Sequence, residues 1–349
     1  MCHKLAVAFT LLTLTIPSLQ AQTTTPTPQS PQSATPEKPL VFEEAAKSAA
    51  VEPPKENWTT ISLAKSGLPT QSVAGVPMSK SELPEGCTRE LLRLEWRQAD
   101  PIDLYVIRPT GVENPPVGLF LLNYTFDTNI FRTDYWCSQS KQNGLAIVGF
   151  GSALSWQRFH TPRPMREWFV SELQEALSTS AHDVQMVLNY LETRKDLDMK
   201  HVGMYGQGSG GAIAILAAAA DSRISAIDVT DPWGDWPEWL KGSKQIPEEE
   251  RAAYLKPEFL QKVANLDPVN YLPQLEGKSI RIQQVTDDPV TPSAAKEKIA
   301  GAAPRTIDVV HYPDKEAQHK SVFLGGITEW LANQLHPRTV MASEFDSAK

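Results

Sequence analysis

The stretch that decides the fold is His201-Val202-Gly203-Met204-Tyr205-Gly206-Gln207-Gly208-Ser209-Gly210-Gly211-Ala212. Its first half is strand-like, its middle is a glycine-rich turn, and the small residues that continue to Ala220 predict a helix. A sharp turn of this kind lifts its central residue above the edge of the sheet. The stretch therefore predicts an α/β fold with a functional position at the turn.

Two frames place the centre of this turn on different residues. In the motif G-x-S-x-G the central serine is a nucleophile, and small residues two positions to either side let the backbones pass. The frame from Gly206 to Gly210 has this spacing and puts Gly208 at the nucleophile position. The other frame centres on Ser209, but it places the long side chain of Gln207 where almost no side chain fits. The first frame is favoured, and Ser209 is the alternative nucleophile.

An acid and a histidine follow in the chain order expected for such a site, nucleophile then acid then histidine. Residues 279–285 read as a strand, and Asp288 comes just after its end. Residues 306–312 read as a further strand, followed by a polar loop. His319 is predicted in that loop, before a helical run at 321–335. A carboxylate at a strand end is placed to hold an imidazole, which makes Asp288 and His319 a candidate acid and base.

With these motifs, residues 85–337 resemble the α/β-hydrolase fold, nearest to its dienelactone-hydrolase and prolyl-oligopeptidase-like branches. The resemblance is carried by the helix-like segment 180–192, by the turn at 205–211 and by Asp288-Pro289-Val290-Thr291-Pro292. It implies that Asp288 is the triad acid, that His319 is the base and that Gly208 occupies a vacated nucleophile site. It also implies an oxyanion hole formed at Asn123-Tyr124 and by the backbone N–H of Ser209.

The other segments predict a doubly wound, mostly parallel sheet with an N-terminal antiparallel hairpin. Residues 91–96 and 102–107 flank a turn at Asp100-Pro101, a pattern typical of a hairpin. The continuous apolar runs at 117–122 and 145–150 are typical of strands that are buried on both faces.

A tryptophan-rich segment is the candidate substrate-binding surface. Trp233, Trp236 and Trp239 lie within seven residues, beside acids and prolines, after the strand-like run 224–229. At the carboxyl end of a strand these rings are placed either to stack on a sugar or aryl group or to pack as a lid on their own core. Both interpretations stay open from the sequence.

Composition excludes several function classes. The chain has 349 residues, 41% of them hydrophobic, and a formal net charge of −8. Net negative charge without a Lys/Arg block argues against nucleic acid as a partner. No dinucleotide fingerprint and no metal-ligand spacing is found, so no cofactor or metal is predicted. The expected partner is a small ligand or substrate of ester, amide or sugar-like chemistry.

The N-terminus predicts export. Residues 1–21 have the features of a signal peptide, since Lys4 precedes an apolar run that is too short to span a bilayer. We therefore expect a secreted or periplasmic protein with no transmembrane helix after cleavage. Residues 22–84 read as a Pro/Thr/Ser-rich tail and transition region, and residues 338–349 as a C-terminal tail. Cys87 and Cys137 would remain after cleavage and are free to pair in an oxidising compartment.

Three functional hypotheses follow. In the first, a protein of hydrolase ancestry has lost its catalytic power because Gly208 stands at the nucleophile position, and it acts by binding a ligand. In the second, Ser209 with His319 and Asp288 forms an active ester or peptide hydrolase that works through an acyl-enzyme. In the third, the protein is a non-catalytic scaffold of the cell envelope whose tail matters more than its cleft.

Overall fold

The computed structural model describes residues 55–98, 100–124, 128–154, 170–305 and 307–336. The predicted signal peptide, the Pro/Thr/Ser-rich tail as far as residue 54 and the C-terminal tail lie outside the described residues.

Nine strands in the described part form one mixed sheet with the order β1-β2-β3-β5-β4-β6-β7-β8-β9. The pairs β1/β2, β2/β3 and β3/β5 are antiparallel, and the remaining pairs are parallel. This confirms the predicted mostly parallel sheet and the hairpin, which is formed by β2 and β3. The strands are β1 Val76–Leu83, β2 Cys87–Leu94, β3 Ile102–Pro109, β4 Pro116–Leu121, β5 Ala146–Gly149, β6 Asp198–Gln207, β7 Ile224–Thr230, β8 Ser279–Val285 and β9 Asp308–Tyr312.

Helices cover both faces of this sheet. The α-helices of the described residues are α1 Asp134–Asn143, α2 Leu173–Leu191, α3 Ser209–Ala220, α4 Trp236–Gly242, α5 Glu248–Tyr254, α6 Pro257–Ala264, α7 Ser293–Ala302, α8 Lys315–Phe323 and α9 Gly326–Leu335. Because strand side chains alternate between faces, Leu119 of β4 packs in the core with α2 and α3, while Phe120 packs in the core with α1 and α9. No helix in these residue ranges is both long and apolar enough to cross a membrane.

The packed region reaches further towards the N-terminus than the predicted boundary at residue 85. The Gln185 side chain on α2 accepts a hydrogen bond from the Leu63 backbone N–H (3.1 Å) and donates one to the Ile61 carbonyl (2.8 Å). Strand β1 then adds to the antiparallel end of the sheet. Its sequence gave no sign of a strand because most of its side chains are exposed and show no alternation of polarity.

A disulfide joins Cys87 of β2 to Cys137 of α1, with the Cα atoms 5.6 Å apart. The sequence left this pairing open. The covalent link fixes the start of α1 against the sheet, next to Trp136.

Candidate functional site

A cavity of about 650 Å³ opens at the carboxyl ends of the parallel strands. This is the edge at which sheets of this type bind their ligands. Of the predicted site residues, Gly208, Asn123, Asp288, His319 and Trp233 line the cavity. The complete lining is Leu122, Asn123, Ile130, Thr133, Tyr135, Trp136, Tyr205, Gln207, Gly208, Asp231, Trp233, Asp288, Val290, Lys315, Gln318, His319, Val322 and Ile327.

Gly208 is the sharp residue between β6 and α3. Its backbone has φ +54° and ψ −113°, a conformation that residues other than glycine rarely adopt. The turn is tight as well, since a Cβ on Gly206 would lie 2.2 Å from the carbonyl oxygen of Gly210. The geometry thus centres the turn on Gly208, and Ser209 is the first residue of α3.

The side chain of Asn123 fills the space that a side chain at position 208 would need. A Cβ built on Gly208 would lie 2.4 Å from Asn123 Oδ1 and 2.7 Å from its Cγ, well inside van der Waals contact. Both the backbone conformation and this neighbour therefore favour glycine, since a side chain at position 208 would displace the Asn123 amide.

Two of the N–H groups predicted for the oxyanion hole, those of Ser209 and Tyr124, are bound within the protein. The Ser209 N–H donates to Asn123 Oδ1 at 3.2 Å, and the Tyr124 N–H donates to Ser209 Oγ at 2.7 Å. The Ser209 hydroxyl itself donates to Asn123 Oδ1 at 3.3 Å. These bonds tie the loop after β4 to the start of α3 and leave neither donor directed at a substrate oxygen.

Ser209 is fully buried and is not among the residues that line the cavity. Its hydroxyl is engaged with Asn123 and Tyr124, and neither bond involves His319. The geometry does not place this hydroxyl for attack on a ligand in the cavity.

Asp288 lies where the sequence placed it, after β8, but its ionic partner is a lysine. Its carboxylate accepts the N–H groups of Val290 (3.2 Å) and Thr291 (3.0 Å) and lies 3.2 Å from Lys315 Nζ. Among the described residues, no hydrogen bond or ion pair joins Asp288 to His319.

The prediction of a loop at His319 was wrong, since this residue lies inside α8. The polar stretch after Pro313 starts a helix because the Asp314 side chain caps it by accepting the Ala317 N–H at 2.8 Å. Lys315 lies one turn before His319 on this helix, and the helix brings the lysine to Asp288.

Asp231 is a cavity residue that sequence reasoning missed as a functional candidate. It directly follows β7, the neighbour of the Gly208 strand, and its backbone has φ +43°. Its Oδ1 accepts the Val285 N–H at 2.8 Å. The pKa of its carboxyl is raised to about 6, chiefly by burial and also by the nearby Asp288, against the lowering effects of the Val285 N–H bond, Lys296 and Lys315. The available signal was an Asp-Pro pair at the carboxyl end of a buried strand.

The tryptophan segment divides between the cavity and the core. All three side chains are buried in the same core, with exposed fractions of 0% for Trp233, 1% for Trp236 and 0% for Trp239, and of the three only Trp233 also lines the cavity. Helix α4 buries its 236, 239 and 240 positions on one face, and Trp236 Nε1 donates to the Leu266 carbonyl at 3.2 Å. The structure thus places Trp236 and Trp239, the other two predicted substrate-binding residues, in the core and not in the cavity lining.

Within the described ranges, no group of three or more His, Cys, Asp or Glu side chains is arranged to hold a metal ion.

The strand order, the helices on both faces and the elbow at Gly208 define an α/β-hydrolase fold. Among solved structures, the chain is similar to acetyl xylan esterase 1 from Thermoanaerobacterium sp. JW/SL YS485, with a TM-score of 0.56 and 14% identity, over 73% of this chain and 88% of that one. It is also similar to an S-formylglutathione hydrolase from Agrobacterium tumefaciens, with a TM-score of 0.56 and 14% identity, over 74% of this chain and 99% of that one.

A third similar structure is the acylaminoacyl peptidase of Pyrococcus horikoshii, with a TM-score of 0.57 and 12% identity; the match covers 72% of this chain and 42% of the peptidase. No protein-family model and no curated protein sequence matches the chain. At these identities the likeness establishes the fold, and these structural neighbours are hydrolases.

Proposed function

We propose that this protein descends from hydrolases and now binds a small ligand in the cavity without cleaving it. The observation that carries the proposal is the contact between Gly208 and Asn123. A carboxamide oxygen occupies the space of a nucleophile's side chain and accepts the Ser209 N–H that would otherwise stabilise an oxyanion.

The serine hydroxyl and the free oxyanion-hole donor each make a separate contribution to catalysis in hydrolases of this kind, and both contributions are absent in the proposed state. Without a hydroxyl at position 208 no acyl-enzyme forms there, and loss of such a serine has cost a well-studied protease about 10⁶-fold in kcat. An oxyanion-hole donor contributes about 10²–10³-fold in kcat in the same class of enzyme. The ion pair between Asp288 and Lys315 further leaves His319 without its expected carboxylate partner.

The cavity supports a binding role. Its volume of about 650 Å³ lies within the range that holds drug-sized molecules. Its walls are largely apolar and aromatic, with Tyr135, Trp136, Tyr205 and Trp233 among them. Flat apolar walls with a few polar groups are typical of small-molecule sites.

Export to the periplasm or the medium is part of the proposal. The predicted signal peptide supports it, and so does the disulfide between Cys87 and Cys137, because such bonds persist mainly in oxidising compartments.

The decisive experiment is labelling of the full protein with a fluorophosphonate, with the site mapped by mass spectrometry. We expect no adduct at Ser209 and no turnover of p-nitrophenyl acetate above that of the matched variants. The variants are Ser209→Ala and, as a control, Ser222→Ala, which changes an exposed serine.

An adduct at Ser209, with turnover that Ser209→Ala abolishes and Ser222→Ala preserves, would reject the proposal. That result would establish the alternative hydrolase, which uses Ser209 with His319 and Asp288.

A further inference from the structure

Two of the residues that line the cavity are aspartates, and they differ in how completely their oxygens are bound. Each oxygen of Asp288 accepts a backbone N–H, and the carboxylate also lies 3.2 Å from Lys315 Nζ. In Asp231, Oδ1 accepts the Val285 N–H at 2.8 Å, but Oδ2 makes no hydrogen bond or ion pair with the described residues. Asp231 is therefore the carboxylate that has an oxygen left for a ligand.

The unbound oxygen of Asp231 is accessible. Only 7% of the residue is exposed. The fully buried side-chain atoms without a partner in the described part of the chain all belong to other residues, so Oδ2, which also has no partner, keeps accessible surface. Because Asp231 lines the cavity, a ligand in the cavity can reach this oxygen.

No cation from the described residues pairs with Asp231. The ammonium group of Lys315 is bound to Asp288. Lys296 is buried and lies outside the cavity lining, and its ammonium group donates to backbone carbonyls at the end of β8. A buried carboxylate is costly unless it is paired, so a cationic ligand would supply the partner that the protein itself does not provide.

The wall around this carboxylate is largely apolar. Side chains that line the cavity and remain partly exposed, and so can contact a ligand, include those of Leu122, Ile130, Tyr135, Val290 and Val322. An ammonium group only donates hydrogen bonds and a carboxylate only accepts them. A ligand that matches both the carboxylate and the wall has an apolar or aromatic body and one ammonium group.

On the basis of the proposed binding function, we propose that the cavity binds small organic amines as ammonium ions, with the ammonium group donating to Asp231 Oδ2 and the apolar body packed against the wall. Asp231 directly follows Thr230, whose carbonyl accepts the Gly208 N–H at 2.9 Å. The charged end of the ligand is thus bound next to the elbow.

The experiment is calorimetric titration of the full protein near neutral pH with three probes that share a phenyl ring: 1-phenylethylamine, acetophenone and benzoate. The first is an ammonium ion at this pH, as a lysine side chain is, the second is uncharged and of nearly the same size, and the third is an anion. We expect 1-phenylethylamine to bind about tenfold more tightly than acetophenone, the gain typical of hydrogen bonds to a charged group, and benzoate to bind most weakly.

The variant Asp231→Asn removes the charge and keeps an oxygen that can accept the Val285 N–H. It should lower the affinity for 1-phenylethylamine about tenfold and change the affinity for acetophenone by less than about twofold. Acetophenone therefore reports whether the cavity of the variant is intact. The matched control is Asp287→Asn, which removes the same charge from an exposed aspartate outside the cavity lining and should preserve the preference for the amine.

Binding of acetophenone or benzoate as tightly as 1-phenylethylamine would overturn this inference and leave the proposed binding function in place. A preference for the amine that survives Asp231→Asn, or that Asp287→Asn reduces equally, would do the same. Binding of none of the probes at millimolar concentration would reject both the binding function and this inference. A fluorophosphonate adduct at Ser209, found together with the preference for the amine, would reject only the loss of catalysis.

Discussion

At the scale of single residues, Asn123 and Gly208 form a matched pair. The side chain of Asn123 lies against the bare Cα of Gly208 and binds both the N–H and the hydroxyl of Ser209. Position 208 is thus constrained twice, by its positive φ and by its neighbour. A serine introduced at position 208 would need the Asn123 side chain to move.

The pair predicts a steric coupling between positions 208 and 123. Gly208→Ala should lower the free energy of unfolding by more than Gly111→Ala, because Gly111 also has positive φ (+87°) but has open space around its Cβ position. The control should cost roughly 1–2 kcal/mol, the cost of left-handed backbone alone. In an Asn123→Ala background the cost of Gly208→Ala should fall towards that of the control.

Urea denaturation of these variants measures the coupling. If Gly208→Ala costs no more than Gly111→Ala in the wild-type background, Asn123 does not hold the space, and the proposed basis for lost catalysis is wrong.

Asp231 predicts a dependence of stability on pH. Its folded pKa of about 6 lies above the ordinary aspartate pKa of 3.8, so the folded state binds more protons between these values. The stability that protonation of Asp231 contributes to the folded state is therefore fully present below about pH 4 and is lost as the pH rises through 6. Asp231→Asn keeps an acceptor for the Val285 N–H and removes the charge, so it should stabilise the protein at pH 7 by up to roughly 3 kcal/mol.

Subtracting the unfolding free energy of Asp231→Asn from that of the wild type at each pH isolates this group from other buried acids. The difference should be near its low-pH value at pH 4 and should shift in favour of the variant by pH 7. A difference that does not change over this range would contradict the buried environment of Asp231.

At the scale of elements, helix α4 shows how a short segment can be divided between two roles. Trp233 precedes the helix and faces the cavity, while Trp236 and Trp239 pack edge to face with ring centroids 5.9 Å apart. Aromatic pairs in this arrangement stabilise a core beyond the area that they bury.

Trp236→Ala should therefore reduce stability far more than ligand binding. We expect a loss of about 3–5 kcal/mol, the usual cost of truncating a buried tryptophan. Trp236→Phe should lose less, because it keeps an aromatic ring and gives up mainly the bond to the Leu266 carbonyl. Chemical denaturation gives the free energy of unfolding of each variant. Calorimetric titration of the folded variants with acetophenone, a neutral aromatic probe, gives their affinity for a small ligand. A variant of unchanged stability with weakened binding would return Trp236 to the binding surface.

At the scale of the whole molecule, a buried ionic cluster attaches the segment that contains Glu56 and Thr60 to the rest of the fold. Arg97 makes two bonds to Glu56, at 2.6 and 2.7 Å, and also bonds to Asp183. Glu56 further contacts His182 Nδ1 at 2.6 Å, and His182 Nε2 contacts the Thr60 carbonyl at 2.9 Å. Both ring nitrogens of His182 are thus engaged within this cluster.

Removal of the charge on Glu56 should be strongly destabilising. Glu56→Gln leaves Arg97 in a buried site with one carboxylate fewer, and breaking such a pair costs about 3–5 kcal/mol. Asp103→Asn is the control, because its pair with Arg93 is exposed and should contribute less than about 1 kcal/mol. Unfolding measurements and limited proteolysis near residue 60 test this, and equal costs for the two variants would show that the cluster does not secure the segment.

Local patterns in the sequence determined the framework of this protein. Buried strands such as β4 and β5 are readable because apolar runs must be covered on both faces. The elbow is readable because a tight turn excludes side chains, which leaves glycines at fixed spacing. Asp288 was placed correctly because a strand end fixes which edge of the sheet the next residues occupy.

Only the tertiary structure decided what these residues do. The bond between Asn123 and Ser209 spans 86 positions, and the carboxylate of Asp288 is paired with a lysine that a helix brings to it. The burial of Trp236 and the environment of Asp231 likewise depend on which elements pack together. The spacing of residues along the chain does not encode such contacts. The free-energy costs of desolvation and steric overlap arise only when segments that are distant in sequence pack together.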